Sequence, residues 1–306
     1  MPNQPSGNLI LSAAIMAISA CAVAWLWVAV QRWHRRPVLP YQPRRPVPWH
    51  AVDLAAIVLF YYLVMQWSVA ALADTLFGPE ASRPPAISDA SGTQTEHVVA
   101  QLIAQGNPWV LLLCIVSAGL VAPITEEFFF RVLLQGWLET CGHRWRRQMP
   151  AIRRFMPRGG GSIVLTSLLF ASLHFRVGAP QIDVRLRVLQ VGGDAAARLL
   201  TLAFAVAWLR GRVGATAADL GWTPKTASGD VKLGLATFAA VAAPVYAVQI
   251  TFQCLLPTYL APDPVPLFFF ALVLGTLYYR THRLLPLIVL HAALNGTSLL
   301  LAWLGG

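Results

Sequence analysis

The sequence predicts an all-α protein, a polytopic transmembrane helical bundle of about eight helices. Of its 306 residues, 57% are hydrophobic and only 12% are charged, whereas a soluble domain is about a quarter charged. The mean hydropathy of +0.58 is too apolar for a water-exposed surface. Several apolar stretches are long enough to cross the hydrocarbon core as helices. These observations exclude a soluble globule, a disordered chain and a disulfide scaffold.

Eight apolar stretches mark the candidate membrane helices. The first has no basic residue before it and is too long for the core of a signal peptide, so we expect a retained helix. The fourth and fifth are short for complete crossings. The stretches are 9–30, 52–73, 109–140, 162–175, 195–209, 231–256, 265–279 and 284–304.

The net charge of +10 comes from 23 Lys and Arg residues against 13 acidic residues. Most of these basic residues lie in every second loop, so we expect them to set membrane topology and not to bind nucleic acid. The positive-inside rule then places the four basic loops in the cytoplasm and both termini outside. The loop of residues 176–194 carries three Arg on the outer side, so either it is interfacial or the fourth stretch does not fully cross. The basic loops are 32–45, 144–158, 210–232 and 280–283.

Two adjacent carboxylates, Glu126 and Glu127, lie in the third apolar stretch, where ionised side chains are costly. Arg131 follows Glu127 at the i, i+4 spacing that lets helical side chains meet. We therefore expect Glu127 and Arg131 to form a structural ion pair. Consecutive helical residues are about 100° apart, so Glu126 should point across the bundle. A purely structural ion-pair knot explains Glu127 but leaves Glu126 unexplained.

Two histidines and an amide lie in other apolar stretches. His174 ends the fourth stretch, and taken alone it is more often a satisfied core or interfacial histidine. His291 and Asn295 share one face of the last helix, where a hydrogen bond between helices is the alternative interpretation. Asp53 is expected to be a helix N-terminal carboxylate near the membrane surface. His282 lies among basic residues and needs no chemical role.

Glu126, His174, His291 and Asn295 together supply what peptide-bond hydrolysis requires. A base or a metal must activate water, and hydrogen-bond donors must stabilise the oxyanion. One carboxylate and two imidazoles also match the three protein ligands of a catalytic Zn²⁺ site with an open position for water. The low dielectric of the bundle interior would strengthen each of these interactions.

The order of these motifs resembles that of the CPBP intramembrane proteases, which include the type II CAAX prenyl proteases and the bacterial Abi proteins. The flanks Ala122-Pro123 and Leu274-Gly275-Thr276-Leu277-Tyr278-Tyr279-Arg280-Thr281 are similar as well. Each motif is short, but three in the same order on apolar helices are a strong signal. The motif residues are Glu126, Glu127, Arg131, Phe170, His174, His291 and Asn295.

This resemblance implies an intramembrane metalloendopeptidase. It implies that Glu126 is the water-activating base or a metal ligand beside His174. It implies that His291 and Asn295 complete the site, as ligands or as oxyanion donors, while Glu127 and Arg131 hold the geometry. Zn²⁺, bound by Glu126, His174 and His291, is the usual assignment, and a Glu-activated water without metal is the alternative.

The same resemblance implies two regions. Residues 1–100 would form an N-terminal two-helix membrane region with a basic, Pro-rich linker, and residues 101–306 a CPBP-like protease domain. In relatives the second and third motifs lie closer together, whereas here 116 residues separate His174 from His291. We therefore interpret residues 176–263 as an atypical insertion.

Two other functions fit the same fold class. One is a non-catalytic membrane protein with a scaffold or bacteriocin-immunity role. The other is a proton-coupled transporter that uses Glu126 as a relay, which predicts inverted repeats. The sequence contains no HExxH, GxSxG-like or GxGD motif of other intramembrane proteases. We expect a bacterial inner-membrane protein whose partners are membrane lipid and a peptide or membrane-anchored protein substrate.

Overall fold

The structure, a computed structural model, describes residues 7–39, 41–43, 45–77, 108–148, 158–174, 184–255 and 264–305. Within these ranges the regular elements are helices and none is a strand. The predicted all-α class is therefore confirmed. Eight helical segments of the described chain coincide with the eight apolar stretches, as expected where a backbone in hydrocarbon has to satisfy its own hydrogen bonds.

The third segment, residues 108–148, is one helical run that contains two short π-helical parts. A π-helical turn changes the backbone bonding from i+4 to i+5. The elements are α1 (Gly7–Trp33), α2 (Ala51–Phe77), α3 (Pro108–Val116), π1 (Ser117–Val121), α4 (Ala122–Glu127), π2 (Phe128–Gln135), α5 (Gly136–Gln148), α6 (Gly160–Leu173), α7 (Val184–Val213), a 3₁₀ turn (Pro224–Thr226), α8 (Ala227–Leu255), α9 (Pro264–Thr281) and α10 (Leu285–Gly305).

Five helical stretches in the described residues are long and apolar enough to cross a membrane. Two shorter apolar helices, Gly160–Leu173 and Leu285–Leu301, accompany them. The number of crossings, about eight by sequence, stays a prediction. The five stretches are Ala51–Ser68, Pro108–Arg144, Val188–Val213, Pro224–Phe252 and Pro264–Thr281.

The fifth helical segment, α7, begins at Val184 and is therefore longer than the apolar stretch of residues 195–209. Asp194 lies directly before that stretch but inside the helix. Arg198, one turn later, donates to Asp194 at 2.7 Å, and the Tyr61 hydroxyl donates at 3.1 Å. A paired carboxylate is far less costly in apolar surroundings than an isolated one. Residues 184–194 are therefore helical and not part of a loop, and residues 175–183 lie outside the described ranges.

The chain divides into two compact units, each assembled from separated parts of the sequence. The predicted division into residues 1–100 and 101–306 is a different one and stays a prediction. The first unit comprises Met1–Pro48, Glu126–Phe175 and Ala215–Leu294, and the second comprises Trp49–Thr125, Arg176–Gly214 and Asn295–Gly306.

The core of the first unit is built where π2, α6 and α9 pack together. Phe130 of π2, Phe170 of α6 and Ala271 of α9 form a buried cluster. The rings of Phe130 and Phe170 meet edge to face with centroids 5.2 Å apart, an arrangement that adds about 0.5–1.5 kcal/mol to the burial of their area. This packing holds the end of α6, which His174 follows, beside the start of π2, which follows the two glutamates.

A proline in α8 creates a hydrogen-bond acceptor that α1 fills. Pro244 has no N–H, so the carbonyl of Ala240, one turn earlier, has no intrahelical donor. Trp25 Nε1 of α1 donates to this carbonyl at 3.0 Å, and Cys21 Sγ lies 3.4 Å from it. Because an unpaired carbonyl is costly in hydrocarbon, this contact explains why α1 packs against α8.

Residues from the basic loops meet at one end of the first unit. Three hydrogen bonds join the first, third and fourth basic loops. Gly159 directly follows the second basic loop and packs under the ring of Tyr279, where a Cβ would clash. The three bonds link Gln42 to Arg280, Arg45 to Asp219, and Arg283 to Asp230. We call this end, defined by these six residues, the basic end.

Asp219 anchors the linker between α1 and α2. It accepts hydrogen bonds from Arg45 and from both the backbone N–H and the hydroxyl of Thr216. These bonds, that of Arg45 first, hold the pKa of Asp219 well below its ordinary value. A lowered pKa contributes stability above the unfolded value of about 3.9, and this is lost only as the pH falls through the lower folded pKa. The anchor therefore persists at neutral and mildly acidic pH.

The second unit is organised around the pair α2 and α7. The rings of Phe60 and Phe204 stack with centroids 4.0 Å apart. Asp53 accepts a bond from the backbone of its own helix start, as predicted, and it is fully buried within the protein. It also accepts hydrogen bonds from Trp208 Nε1 at 3.0 Å and from Arg212, whose charge it balances. Its position near the membrane surface stays a prediction.

A glycine sets the distance between α8 and α10. A Cβ on Gly234 would lie 2.6 Å from the Pro286 carbonyl oxygen and 2.8 Å from Val289 Cβ. We expect Gly234→Ala to lower the free energy of unfolding by about 1–3 kcal/mol, the usual cost of overpacking. Gly229→Ala in the same helix is the matched control, since no atom lies within 4 Å of its Cβ. Equal thermal stability of the two variants in detergent would contradict this close packing.

Candidate active site

Glu126 and Glu127 are the last two residues of α4, between π1 and π2. π-Helical turns are rare and occur frequently at functional sites. Here π2 starts directly after Glu127, so the backbone beyond the carboxylates departs from α-helical geometry. The first unit also contains Arg131, His174 and His291. Most of the predicted site residues therefore belong to one compact unit.

Glu127 and Arg131 form the ion pair that their spacing predicts. Arg131 Nε donates to Glu127 Oε2 at 3.3 Å, and both side chains are fully buried. Arg131 Nη1 also donates to Thr166 Oγ1 at 3.2 Å, and the guanidinium carbon lies 5.8 Å from the centre of the Phe170 ring. Because Thr166 and Phe170 belong to α6, Arg131 connects the glutamates to the helix that His174 follows.

His291 lies between the two glutamates. Its Nδ1 is 2.8 Å from Glu127 Oε1, and its Nε2 is 4.0 Å from Glu126 Oε2. The edges of Phe170 and Phe270 flank the imidazole, with ring centroids 5.9 and 5.5 Å away. Glu126 does point toward another helix, as expected. The contact between Glu127 and His291 was not predicted, and it fixes the orientation of the imidazole.

His174 directly follows α6 and presents its Nε2 to Glu126 Oε2 at 3.8 Å. Its Nδ1 lies 2.7 Å from the carbonyl oxygen of Phe170. A carbonyl only accepts, so Nδ1 carries the proton and Nε2 of the neutral ring carries the lone pair. The same reasoning applies to His291, whose Nδ1 faces the carboxylate of Glu127. In the neutral form of each imidazole, Nε2 therefore directs a lone pair toward Glu126.

Three acceptor atoms thus converge: Glu126 Oε2, His174 Nε2 and His291 Nε2. The separations of 3.8 and 4.0 Å from the carboxylate oxygen exceed a direct hydrogen bond and fit one bridging atom. Because all three are acceptors, the bridging species has to supply hydrogen-bond donors or positive charge. A cation meets this requirement for all three atoms, whereas one water molecule, with two O–H groups, donates to two of them at a time. The side chain of Glu126 is only 13% exposed, so any such species is largely shielded from solvent.

The same three atoms provide the donor types of a catalytic zinc site, but not its spacing. Ligand bonds of 2.0–2.2 Å in tetrahedral geometry place ligand atoms roughly 3.4 Å apart. The Glu126 separations are wider than this. Within the part of the chain that the structure describes, no three His, Cys, Asp or Glu side chains are arranged to hold a metal ion. Zinc binding would require these side chains to close by about half an ångström.

Asn295 belongs to the second unit. Its Nδ2 donates to the carbonyl of Ala118 at 2.8 Å. Ala118 lies in π1, where the changed bonding pattern makes a backbone carbonyl available to a side chain. Asn295 therefore has a structural partner, and its predicted role as a ligand or oxyanion donor stays a prediction.

Thr166 is the residue of this cluster that sequence analysis missed. It is fully buried, donates to the backbone of its own helix, and accepts from Arg131. A signal was available, since Thr166, Phe170 and His174 follow one another at i, i+4 spacing and so share a helix face. A threonine is common in apolar helices because its hydroxyl can bond to the preceding turn, so this spacing alone does not identify it.

Comparison with known proteins gives one match. The family model described as type II CAAX prenyl endopeptidase Rce1-like matches residues 108–297. A search of curated proteins and a search of solved structures found no match. The matched range includes all six predicted site residues, from Glu126 to Asn295.

The buried ion pair leads to a stability prediction. Glu127→Ala and Arg131→Ala each leave a buried charge without its partner, and each should cost about 3–5 kcal/mol of folding free energy. The double variant Glu127→Gln/Arg131→Met removes both charges and should recover most of the loss. Thermal unfolding and the yield of monodisperse protein measure these differences. Single variants as stable as the parent would show that the pair does not sustain the fold.

Proposed function

Since the chain belongs to the type II CAAX prenyl endopeptidase Rce1-like family, we propose that it is an intramembrane endopeptidase whose reaction centre consists of Glu126, His174 and His291. The protein is a multi-pass membrane protein with five long apolar helices in its described residues. The observation that carries the proposal is the approach of Glu126 Oε2 to Nε2 of both imidazoles, at 3.8 and 4.0 Å.

In the proposed reaction, Glu126 is the general base. A water molecule bound among the three acceptor atoms gives a proton to Glu126 Oε2 as its oxygen attacks the carbonyl carbon of the scissile peptide bond. Glu126 then returns this proton to the nitrogen of the leaving amine. The second O–H of this water donates to Nε2 of one of the two imidazoles, which orients the water. Holding the reacting atoms at contact distance in this way supplies much of the rate advantage.

The other predicted residues support this centre. Glu127 accepts from His291 Nδ1, which fixes the tautomer of the neutral ring and directs its Nε2 at Glu126. Arg131 compensates the charge of Glu127, and we assign the proton transfers to Glu126. We assign Asn295 the role of oxyanion donor. Its amide has two N–H groups, of which the bond to Ala118 occupies one.

Zn²⁺ is the cofactor proposed for this centre, with Glu126, His174 and His291 as its protein ligands. When bound, such a metal polarises a carbonyl and lowers the pKa of its water. The hydrogen bonds to Nδ1 of both imidazoles favour metal binding at Nε2, because such outer partners fix the tautomer of metal-binding histidines. The proton transfers described above use residues of the chain alone.

The position of the site supports hydrolysis inside the membrane. His291 lies six residues after Leu285, the first residue of α10, or about 9 Å along the helix. Glu127 lies twelve residues before Glu139, at most about 18 Å. Both depths fall inside a hydrocarbon core about 30 Å thick. We propose that the basic end faces the cytoplasm of a bacterial inner membrane, as the meeting of the basic loops at one end supports.

The substrate proposed is a peptide or membrane-anchored protein whose cleavage site reaches this depth. The family description is that of a CAAX prenyl endopeptidase, and a lipid anchor on the substrate would hold it at the membrane. A non-catalytic role, as a scaffold or immunity protein, is the alternative that an activity assay decides. A fluorogenic peptide in prenylated and unprenylated form tests both points.

The test is cleavage of this peptide by protein reconstituted in lipid vesicles. Glu126→Gln, His174→Asn and His291→Asn should each lower kcat by about 10²–10⁴-fold, the usual contribution of a general base and its partners. His143→Asn is the matched control, because His143 is exposed in the second half of α5. Thermal unfolding of each variant separates loss of activity from loss of fold.

The outcomes distinguish the mechanisms. Loss of cleavage in the three variants together with inhibition by a chelator supports a metal. The same loss without chelator sensitivity supports a water activated by Glu126 alone. Cleavage by all three variants at the parental rate contradicts the proposed centre, and no cleavage by the folded parent favours the non-catalytic role.

A further inference from the structure

Polar side chains continue from the reaction centre toward the basic end. After Glu127 they recur every four residues as Arg131, Gln135 and Glu139, a spacing that keeps them near one face of a helix. Arg131 and Gln135 are fully buried, and the side chain of Glu139 is 12% exposed. The proposed reaction uses neither Gln135 nor Glu139. Both are costly in an apolar helix, which points to a function of their own.

Hydrogen bonds connect most of this series. Arg131 donates to Glu127 at 3.3 Å, and Gln135 Nε2 donates to Glu139 Oε1 at 3.0 Å. Glu139 Oε2 lies 4.0 Å from Nδ1 of His282, next to Arg283 of the basic end. We call Glu127, Arg131, Gln135 and Glu139 the polar file. It spans twelve residues, or at most about 18 Å.

Two atoms in the middle of the polar file lack a protein partner. Arg131 Nη2, a donor, and Gln135 Oε1, an acceptor, are buried and make no hydrogen bond among the described residues. A buried donor or acceptor left in this way costs about 1–3 kcal/mol. Water would satisfy both atoms, because it accepts from a guanidinium and donates to an amide oxygen.

A glycine packs closely against this part of the polar file. Gly275 of α9 accepts a hydrogen bond from Gln135 Nε2 at 2.9 Å. A Cβ on Gly275 would lie 3.0 Å from Ile163 Cγ2, 3.2 Å from Gln135 Oε1 and 3.4 Å from Arg131 Nη1. The guanidinium and the amide therefore border the same glycine, and a methyl group there would press on both.

We propose that the polar file is the path by which water reaches the reaction centre from the basic end. The proposal rests on the proposed function, since each peptide bond that is hydrolysed consumes one water molecule, which hydrocarbon does not supply. Gln135 and Arg131 provide polar contacts along the way, and Glu139 lies at the entrance. The side chain of His174 is 30% exposed, so water could instead reach the reaction centre from the side of His174. The test distinguishes these two routes.

The test measures hydration and not peptide cleavage, so it can fail independently of the proposed function. Gln135→Cys and Ala271→Cys are made in a background with the native cysteines replaced by alanine. Ala271 is the control because it is equally buried but packed among phenylalanines. Ag⁺, a thiol-binding ion of nearly the size of water, is applied to one side of sealed vesicles in chloride-free buffer. Thiols that remain are then labelled with a maleimide after unfolding.

Ag⁺ from the basic end should block Gln135→Cys at least about tenfold faster than Ala271→Cys, because a thiol in a hydrated path is accessible and a packed one is not. Adding Gly275→Ala should slow the blocking of Gln135→Cys, whereas adding Gly229→Ala should not. Equal rates at both positions, no blocking at Gln135→Cys, or equally fast blocking from the opposite side would each overturn the proposal.

Discussion

Two adjacent carboxylates in an apolar helix are the constraint on which the first unit depends. Each ionised group is expensive to bury and is tolerated only when the structure supplies compensation. Glu127 is compensated by Arg131 and His291 and is fully buried. Glu126 faces Nε2 of the His174 and His291 imidazoles, at 3.8 and 4.0 Å. Identical side chains one residue apart therefore differ in role, because Glu127 is paired with Arg131 while Glu126 faces the two imidazoles.

The packing of the first unit positions both imidazoles beside Glu126. His174 approaches Glu126 because α6 ends there, and the cluster of Phe130, Phe170 and Ala271 holds α6 against π2 and α9. His291 is held by Glu127 and by aromatic edges. The same residue, Phe170, contributes a ring to the cluster and a carbonyl to Nδ1 of His174. A change in this cluster would therefore move both imidazoles together.

Local patterns in the sequence were sufficient to predict the helices and one buried ion pair. Apolar length predicts the helices, because hydrocarbon permits little other backbone structure, and i, i+4 spacing predicts the pair of Glu127 and Arg131. The convergence of His174 with His291 depends on contacts between residues far apart in the chain, which no local pattern contains. The bond from the Tyr61 hydroxyl to Asp194 of α7 is also such a contact.

Two further features were beyond the reach of sequence patterns for different reasons. The π-helical parts on either side of Glu126 have no compositional signature that separates them from α-helix. Gln135 did leave a signal, the i, i+4 series from Glu127, but an amide in an apolar helix is commonly a bond between helices. The unsatisfied Oε1 of Gln135 and its contact with Gly275 are the observations that indicate a role in the path of water.

The central claim is that Glu126 faces unprotonated Nε2 atoms of both His174 and His291. Nitrogen-15 NMR of histidine-labelled protein in lipid, assigned with single-histidine variants, tests this most directly. The account predicts a protonated Nδ1 and an unprotonated Nε2 in both rings, and a change in both Nε2 signals in Glu126→Gln. A proton on Nε2 of either neutral ring, or Nε2 signals that do not respond to Glu126→Gln, would contradict it.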